Sequence, residues 1–211
     1  MAQQPFTNRH DNFITEDEYL RMEQSSDTRH EYIDGCVYAM VGASLYHARI
    51  TANILGEFRN HLKGKACEAF MTDVKIKLGS SYVYPDVVVD CSGTEANDYF
   101  ANVPILIVEV LSQTTRKRDL TTKLFKYINL PTLQEYVLIE QNTASVTVLR
   151  RAHDWQYEYY VLGDSVTFES IGLTLRVEEI YDRVNNHDIQ EYRLFRQDGI
   201  EPEWNGEHDE V

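Results

Sequence analysis

Asp86, Glu109 and Lys123 are the residues of this chain whose types and setting could do chemistry together. Asp86 follows Pro85 within Tyr82-Val83-Tyr84-Pro85-Asp86-Val87-Val88-Val89-Asp90, and Glu109 lies inside Ile105-Leu106-Ile107-Val108-Glu109-Val110-Leu111. Both stretches are rich in β-branched and aromatic residues and read as strands. The second is apolar along its length, the pattern of a strand covered on both faces, yet it carries a carboxylate. An ionised side chain there is costly unless it is paired or faces a cation or a cleft. Two acids at the ends of adjacent buried strands could jointly hold a hard divalent cation through oxygen and so create a Lewis acid. The bland alternative, that each acid meets an Arg or a helix N-terminus, is the stronger reading for either one alone. The pair, with basic residues just downstream, reverses that balance.

Lys123 belongs to a helix expected from about Arg116 to Ile128, capped by the hydroxyls of Ser112-Gln113-Thr114-Thr115 and stopped by Asn129-Leu130-Pro131. Asp119, Lys123 and Tyr127 share one face with Leu120 and Leu124. A lysine on a mostly apolar face could bring its ammonium to Asp86 and Glu109, where it would stabilise developing negative charge or, with a lowered pKa, act as a base. The alternative is an Asp119–Lys123 surface salt bridge. Arg116-Lys117-Arg118 reads as a solvated helix start, although basic side chains beside a metal site are what a phosphodiester backbone needs.

The elements that must position these groups follow from local signals. Thr15-Glu16-Asp17-Glu18 has the form of a capping box for a short helix through about Met22. Asp34-Gly35 between alternating stretches predicts a hairpin over Glu31–Met40, with Glu31 read as facing solvent in preference to the cleft. Ser44 caps a helix from Leu45 to about Lys63, with Gly64 beyond its end, and His47 in its first turn reads as a capping or core residue. Cys67–Met71 and Val74–Leu78 are strand material, with Lys75 and Lys77 on a solvated face. A polar loop spans Ser92–Asn102. Gln134–Glu140 is a further strand, and Ser145–Arg150, Gln156–Leu162 and Val166–Glu169 form an antiparallel meander whose aromatic residues fill a sheet face.

With 211 residues, 43% of them hydrophobic, one domain is expected, without room for two good cores. Residues 1–14 read as a flexible N-terminus, 15–184 as the domain and 185–211 as an acidic tail. No apolar run is long enough to cross a bilayer and the N-terminus has no signal-peptide core, so a cytoplasmic location without membrane contact is expected. Cys36, Cys67 and Cys91 are scattered, and all three are expected to be reduced and structural. The net charge of -14 argues against coating nucleic acid by electrostatics alone. The charge is uneven, however: Arg116, Lys117, Arg118, Lys123 and Lys126 face only Asp119, while the segment after Gln197 contains acids and no Lys or Arg.

The order helix, three strands, helix, strand, with Pro-Asp on one middle strand and Glu on the next, resembles the restriction-endonuclease-like PD-(D/E)XK core. More narrowly the chain resembles the Uma-two family (DUF820) of endonuclease-like proteins. The match is carried by Glu31-Tyr32-Ile33-Asp34-Gly35, His47, Asn53, Asp73-Val74-Lys75, Tyr84-Pro85-Asp86-Val87, Pro104, Val108-Glu109-Val110-Leu111-Ser112, Asp119, Lys123, Tyr127 and Leu133-Gln134-Glu135-Tyr136. The resemblance implies an α/β fold with a central mixed sheet flanked by helices, Asp86 and Glu109 as ligands of Mg²⁺ or Mn²⁺, and Glu31 as a third acid at the site. The superfamily's lysine belongs two residues after the second acid, and here that slot is Leu111. The resemblance points to Lys123 as its replacement, with Ser112 and Lys75 as alternatives.

The expected function is therefore Mg²⁺-dependent endonucleolytic hydrolysis of DNA, with Asp86, Glu109, Lys123 and Glu31 at the catalytic site. The rival is a non-catalytic binding or interaction protein that keeps the fold, which the net charge favours slightly. The aromatic-rich meander offers more apolar surface than one small sheet covers, so a homodimer is expected. Lys123→Ala is expected to abolish activity while changing stability by no more than about 1 kcal/mol.

Overall fold

The computed structural model describes residues 13–93 and 99–197. The expected acidic stretch after Gln197 and most of the expected flexible N-terminus lie outside these residues. At the centre is a six-stranded sheet in the order β10-β9-β8-β7-β6-β3. Its strands are β3 (Glu68–Met71), β6 (Val87–Asp90), β7 (Pro104–Leu111), β8 (Glu135–Glu140), β9 (Ser145–Arg150) and β10 (Tyr157–Val161). β7 and β8 are parallel and every other pairing is antiparallel. A parallel pair needs a crossover, and the helical segment after Thr115 supplies it.

β7 is buried along its whole length because both faces of the sheet are covered. Leu106, Val108 and Val110 face one core with α2 (Leu45–Leu62), while Ile107 and Leu111 face a second core. That second core lies under a four-stranded antiparallel sheet, β2-β1-β5-β4, formed by β1 (His30–Ile33), β2 (Cys36–Ala39), β4 (Ile76–Leu78) and β5 (Ser81–Val83). Side chains alternate along a strand, so Glu109 shares the face of Ile107 and Leu111. Register does the same for Asp86. Val87 lies opposite Val108, which puts Asp86 opposite Glu109, and Val88 beside it belongs to the second core.

The local signals hold where a side chain or a turn dictates geometry. Thr15 and Glu18 form both halves of the capping box on α1 (Glu16–Ser25). Asp34 and Gly35 take φ 49° and 86°, the double positive φ that a two-residue hairpin turn of this twist requires. Ser44 caps α2 through the His47 N–H.

Four expectations are corrected. Tyr82–Asp90 is two strands in two sheets, because Pro85 has no N–H to continue a ladder and the chain leaves one sheet for the other at Tyr84-Pro85-Asp86. The meander ends at β10: β11 (Ser165–Phe168) pairs with β12 (Leu173–Arg176) as a separate ribbon. Part of the expected tail is α6 (His187–Gln197), which follows α5 (Val177–Ile180) and buries Ile189 in the first core. Cys67 and Cys91 are a disulfide, with Cys36 free, instead of three reduced thiols. Glu68 pairs with Asp90, so the next residues out, Cys67 and Cys91, are cross-strand neighbours with Cα atoms 4.1 Å apart. Spacing along the chain could not reveal that pairing.

The bridge closes a sequence separation of 24 residues. Loop-closure entropy for a ring of that size is about 3 kcal/mol. Urea unfolding of the oxidised protein and of Cys67→Ser/Cys91→Ser is expected to differ by about that amount, and coincident curves would show that the bridge does not constrain the unfolded chain.

Candidate functional site

A cleft of ≈ 1090 Å³ opens between α2, the β1–β2 hairpin and the segment that follows β7, and its lining includes Glu31, His47, Asp86, Glu109, Arg118 and Lys123. All four sequence-predicted site residues therefore meet in one place. Among the described residues no helix is long and apolar enough to cross a membrane.

The helical segment that carries Lys123 is not uniform. It runs as α3 (Arg116–Arg118), a π turn over Asp119–Lys123 and α4 (Leu124–Ile128), with the Leu124 N–H reaching the Asp119 carbonyl. Tyr136 donates to that same carbonyl at 3.1 Å. Widened turns of this kind recur at functional sites, because they re-aim side chains within an otherwise regular helix. Here the turn carries both Asp119 and Lys123, which are buried.

Lys123 Nζ lies 2.7 Å from Glu31 Oε1, 2.9 Å from Glu109 Oε1 and 3.2 Å from Asp119 Oδ1. The Asp119 contact is thus not a surface salt bridge, and Glu31, 4% exposed, does not face solvent. Burial alone would lower the lysine's pKa, but the carboxylates of Glu109, Glu31 and Asp119 hold it well above the ordinary value. Three carboxylates around Lys123 favour its ammonium form, the opposite of the lowered pKa that a base would need. Glu109 also accepts from Tyr127 Oη at 2.9 Å. Burial raises the Glu109 pKa well above the usual carboxylate range; Lys123 opposes that shift, and Asp119, Asp86 and Glu31 reinforce it.

Asp86 is held from two sides. Its Oδ2 accepts the Val110 N–H at 2.7 Å, and its Oδ1 lies 2.9 Å from His47 Nε2. His47 therefore touches the site instead of serving only as a cap or core residue. Its i+3 spacing from the Ser44 cap placed it on the first turn, but no sequence signal said that this turn faces Asp86.

Arg118, read from sequence as part of a solvated helix start, instead stacks 3.9 Å over the Tyr38 ring centroid and reaches Glu31 Oε2 at 3.3 Å. Lys75 and Ser112, the alternatives to Lys123, differ in setting. Lys75 stands within 6 Å of the rings of Tyr19, Tyr84 and Phe100, away from the acids. Ser112 lines the cleft but bonds to Thr114 and Thr115.

The carboxylates of Glu31, Glu109 and Asp119 share the Lys123 ammonium and Arg118 reaches Glu31, whereas among the described residues Asp86 is met by His47 and the Val110 N–H with no Lys or Arg ion pair. Among the described residues no group of three or more His, Cys, Asp or Glu side chains is placed to hold a metal ion. Mg²⁺ can be held through one or two carboxylates, with water and substrate phosphate completing its octahedron. Asp86 and Glu109 at the cleft are the two carboxylates that could serve in that way.

A family model for Uma2, described as "Putative restriction endonuclease", matches residues 16–178. The uncharacterized protein slr1290 of Synechocystis sp. (strain ATCC 27184 / PCC 6803 / Kazusa) is 35% identical over 173 residues, covering 80% of this chain and 91% of that protein. A second protein of that strain, sll1609, is 32% identical over 149 residues, covering 68% of this chain and 84% of its own length. In three dimensions the chain is similar to the crystal structure of "a putative nuclease belonging to DUF820" from Anabaena variabilis ATCC 29413. That match has a TM-score of 0.70 at 20% identity and covers 82% of this chain and 99% of the other. The two share a fold, a mixed central sheet with flanking helices and antiparallel sheets.

The burial of Lys123 replaces the expectation of a stability-neutral substitution. Removing one partner of a buried ion cluster leaves uncompensated charge and costs about 3–5 kcal/mol. Lys123→Ala is expected to lose that much in urea unfolding, whereas Lys126→Ala, whose partner Asp34 is well exposed, is expected to lose less than about 1 kcal/mol. Equal losses would remove Lys123 from the centre of the cluster.

Proposed function

Because this chain belongs to the Uma2 family, we propose that it is a metal-dependent endonuclease that hydrolyses phosphodiester bonds of DNA. The observation that carries the reading is Asp86 and Glu109 together at an open cleft, Asp86 with no Lys or Arg paired to it among the described residues and Glu109 sharing one ammonium with Glu31 and Asp119.

In this proposal Asp86 and Glu109 would hold Mg²⁺ or Mn²⁺, and the cation would supply Lewis acidity toward water and the scissile phosphate. The chain's own residues do the rest. The Val110 N–H and His47 fix the orientation of Asp86. Tyr127 and Lys123 fix Glu109. Lys123 assists as a permanent positive charge at the cleft wall, and Glu31 holds it there at 2.7 Å. A cytoplasmic location is part of this proposal, and the Cys67–Cys91 disulfide counts against it, since such bridges are rare in reducing surroundings.

We also propose a homodimer, supported by the exposed Tyr157 and Tyr159 on the edge strand β10. A monomeric mass by light scattering at micromolar concentration would exclude it. The net charge of -14 favours a second reading, a binding protein that retains the fold without hydrolysis.

Metal addition separates the readings. Saturating Mn²⁺ is expected to raise the melting temperature of the wild type, equivalent to about 2.7 kcal/mol at a hundredfold excess over Kd, and to do so much less for Asp86→Asn or Glu109→Gln. Purified wild type is expected to cut DNA with Mg²⁺ or Mn²⁺ and not with chelator, and both variants are expected to be inactive. If the cation neither stabilises nor supports cleavage, and both variants are destabilised without it, the acids are structural and the nuclease reading falls.

A further inference from the structure

Three bases open the helical segment after β7, and the fold treats each differently. Arg116 pairs with Glu140, and Lys117 is exposed. Arg118 lies in the cleft wall with its side chain 25% accessible, clamped between the Tyr38 ring and Glu31.

The clamp fixes Arg118 without using it up. A guanidinium offers five N–H donors in a rigid plane. Among the described residues, the side chain of Arg118 makes a single hydrogen bond, a 3.3 Å contact from Nη1 to Glu31 Oε2. That is longer than the 2.7–2.9 Å typical of a charge-assisted pair and is not bidentate.

Arg150 shows how this protein builds a structural arginine. It is 2% exposed and donates to Glu135, Glu158, Tyr160 and the Thr167 carbonyl. Arg118 has the rigidity of such a residue, from stacking on an aromatic face, but keeps most of its donors open toward the cleft that holds Asp86 and Glu109. An arginine oriented on a ring with an open fork suits the paired oxygens of a phosphodiester.

We infer that Arg118 is the residue that grips a backbone phosphate of the bound nucleic acid beside Asp86 and Glu109, with Tyr38 as its platform. This rests on the nuclease reading. It also assigns the three bases separate roles: Arg116 is structural, Lys117 is solvated, and Arg118 contacts substrate.

The test is equilibrium binding of a fluorescein-labelled DNA strand and its duplex, with Ca²⁺ in place of Mg²⁺, across a salt series. Each phosphate contact adds about 0.9 to the slope of log K against log salt on duplex and about 0.7 on a single strand. Arg118→Ala is expected to weaken binding about tenfold and flatten the slope by about one contact. Lys117→Ala is expected to leave both unchanged. Arg118→Lys keeps the charge and loses the fork, so its slope should match the wild type while its affinity falls several-fold. That variant carries the test if the alanine protein does not fold, and wild-type affinity in it overturns the proposal. A wild-type slope in folded Arg118→Ala, or an equal loss in Lys117→Ala, also overturns it while leaving the nuclease reading intact. Wild-type protein that binds neither form of DNA, with Ca²⁺ or with chelator, overturns both.

Discussion

Lys123 places a full positive charge where almost no water reaches, and the carboxylates of Glu31, Glu109 and Asp119 around it make that position tolerable. The three acids come from three different parts of the fold. Glu31 is on β1 of the four-stranded sheet, Glu109 on β7 of the six-stranded sheet and Asp119 on the π turn between α3 and α4. One ammonium thus ties two sheets and a helical crossover together. Apolar packing in the second core brings the same layers into contact but is indifferent to small slides. The ion cluster is not, because a displacement of an ångström or two would strand a buried charge.

That arrangement also explains the state of Glu109. The ammonium is shared among three acids, so it cannot fully compensate Glu109, which is buried among like charges. Burial, with Asp119, Asp86 and Glu31 close by, leaves Glu109 favouring its neutral form more than an ordinary carboxyl does.

Much of this was legible in the chain because it depends on local rules. The Thr15 capping box, the Asp34-Gly35 turn and the Ser44 cap involve residues at most three apart, and each forms as read. The continuous apolar run of β7 announced a strand covered on both faces, and its lone Glu lies at the cleft. What could not be read depends on long-range register. Cys67 meets Cys91 only because β3 and β6 pair with a particular offset. His47 and Arg118 reach the cleft through the packing of α2 and the hairpin, which leaves no periodic trace. Glu31 was read outward because a hairpin of period 2 has two faces and nothing local says which is covered; its partner Lys123 is far along the chain. The Tyr82–Asp90 stretch misled for a different reason: β propensity is high throughout, and only the missing N–H of Pro85 marks the change of sheet.

The displaced lysine follows from the same geometry. A lysine at position 111 would extend from β7 on the same face as Glu109, since the two are separated by one alternation of the strand. Leu111 instead fills that space and packs in the second core. The ammonium arrives from the helical segment lying over this face and reaches Glu109 at 2.9 Å. The two arrangements differ in their dependence on the fold. A strand lysine would be fixed by the β7 backbone that also carries Glu109. Lys123 is in place only when the crossover is docked and its π turn formed, with Tyr136 holding the Asp119 carbonyl. Arg118 rides on that same segment, one residue before the turn, so docking the crossover delivers both fixed cations to the carboxylates of the two sheets together.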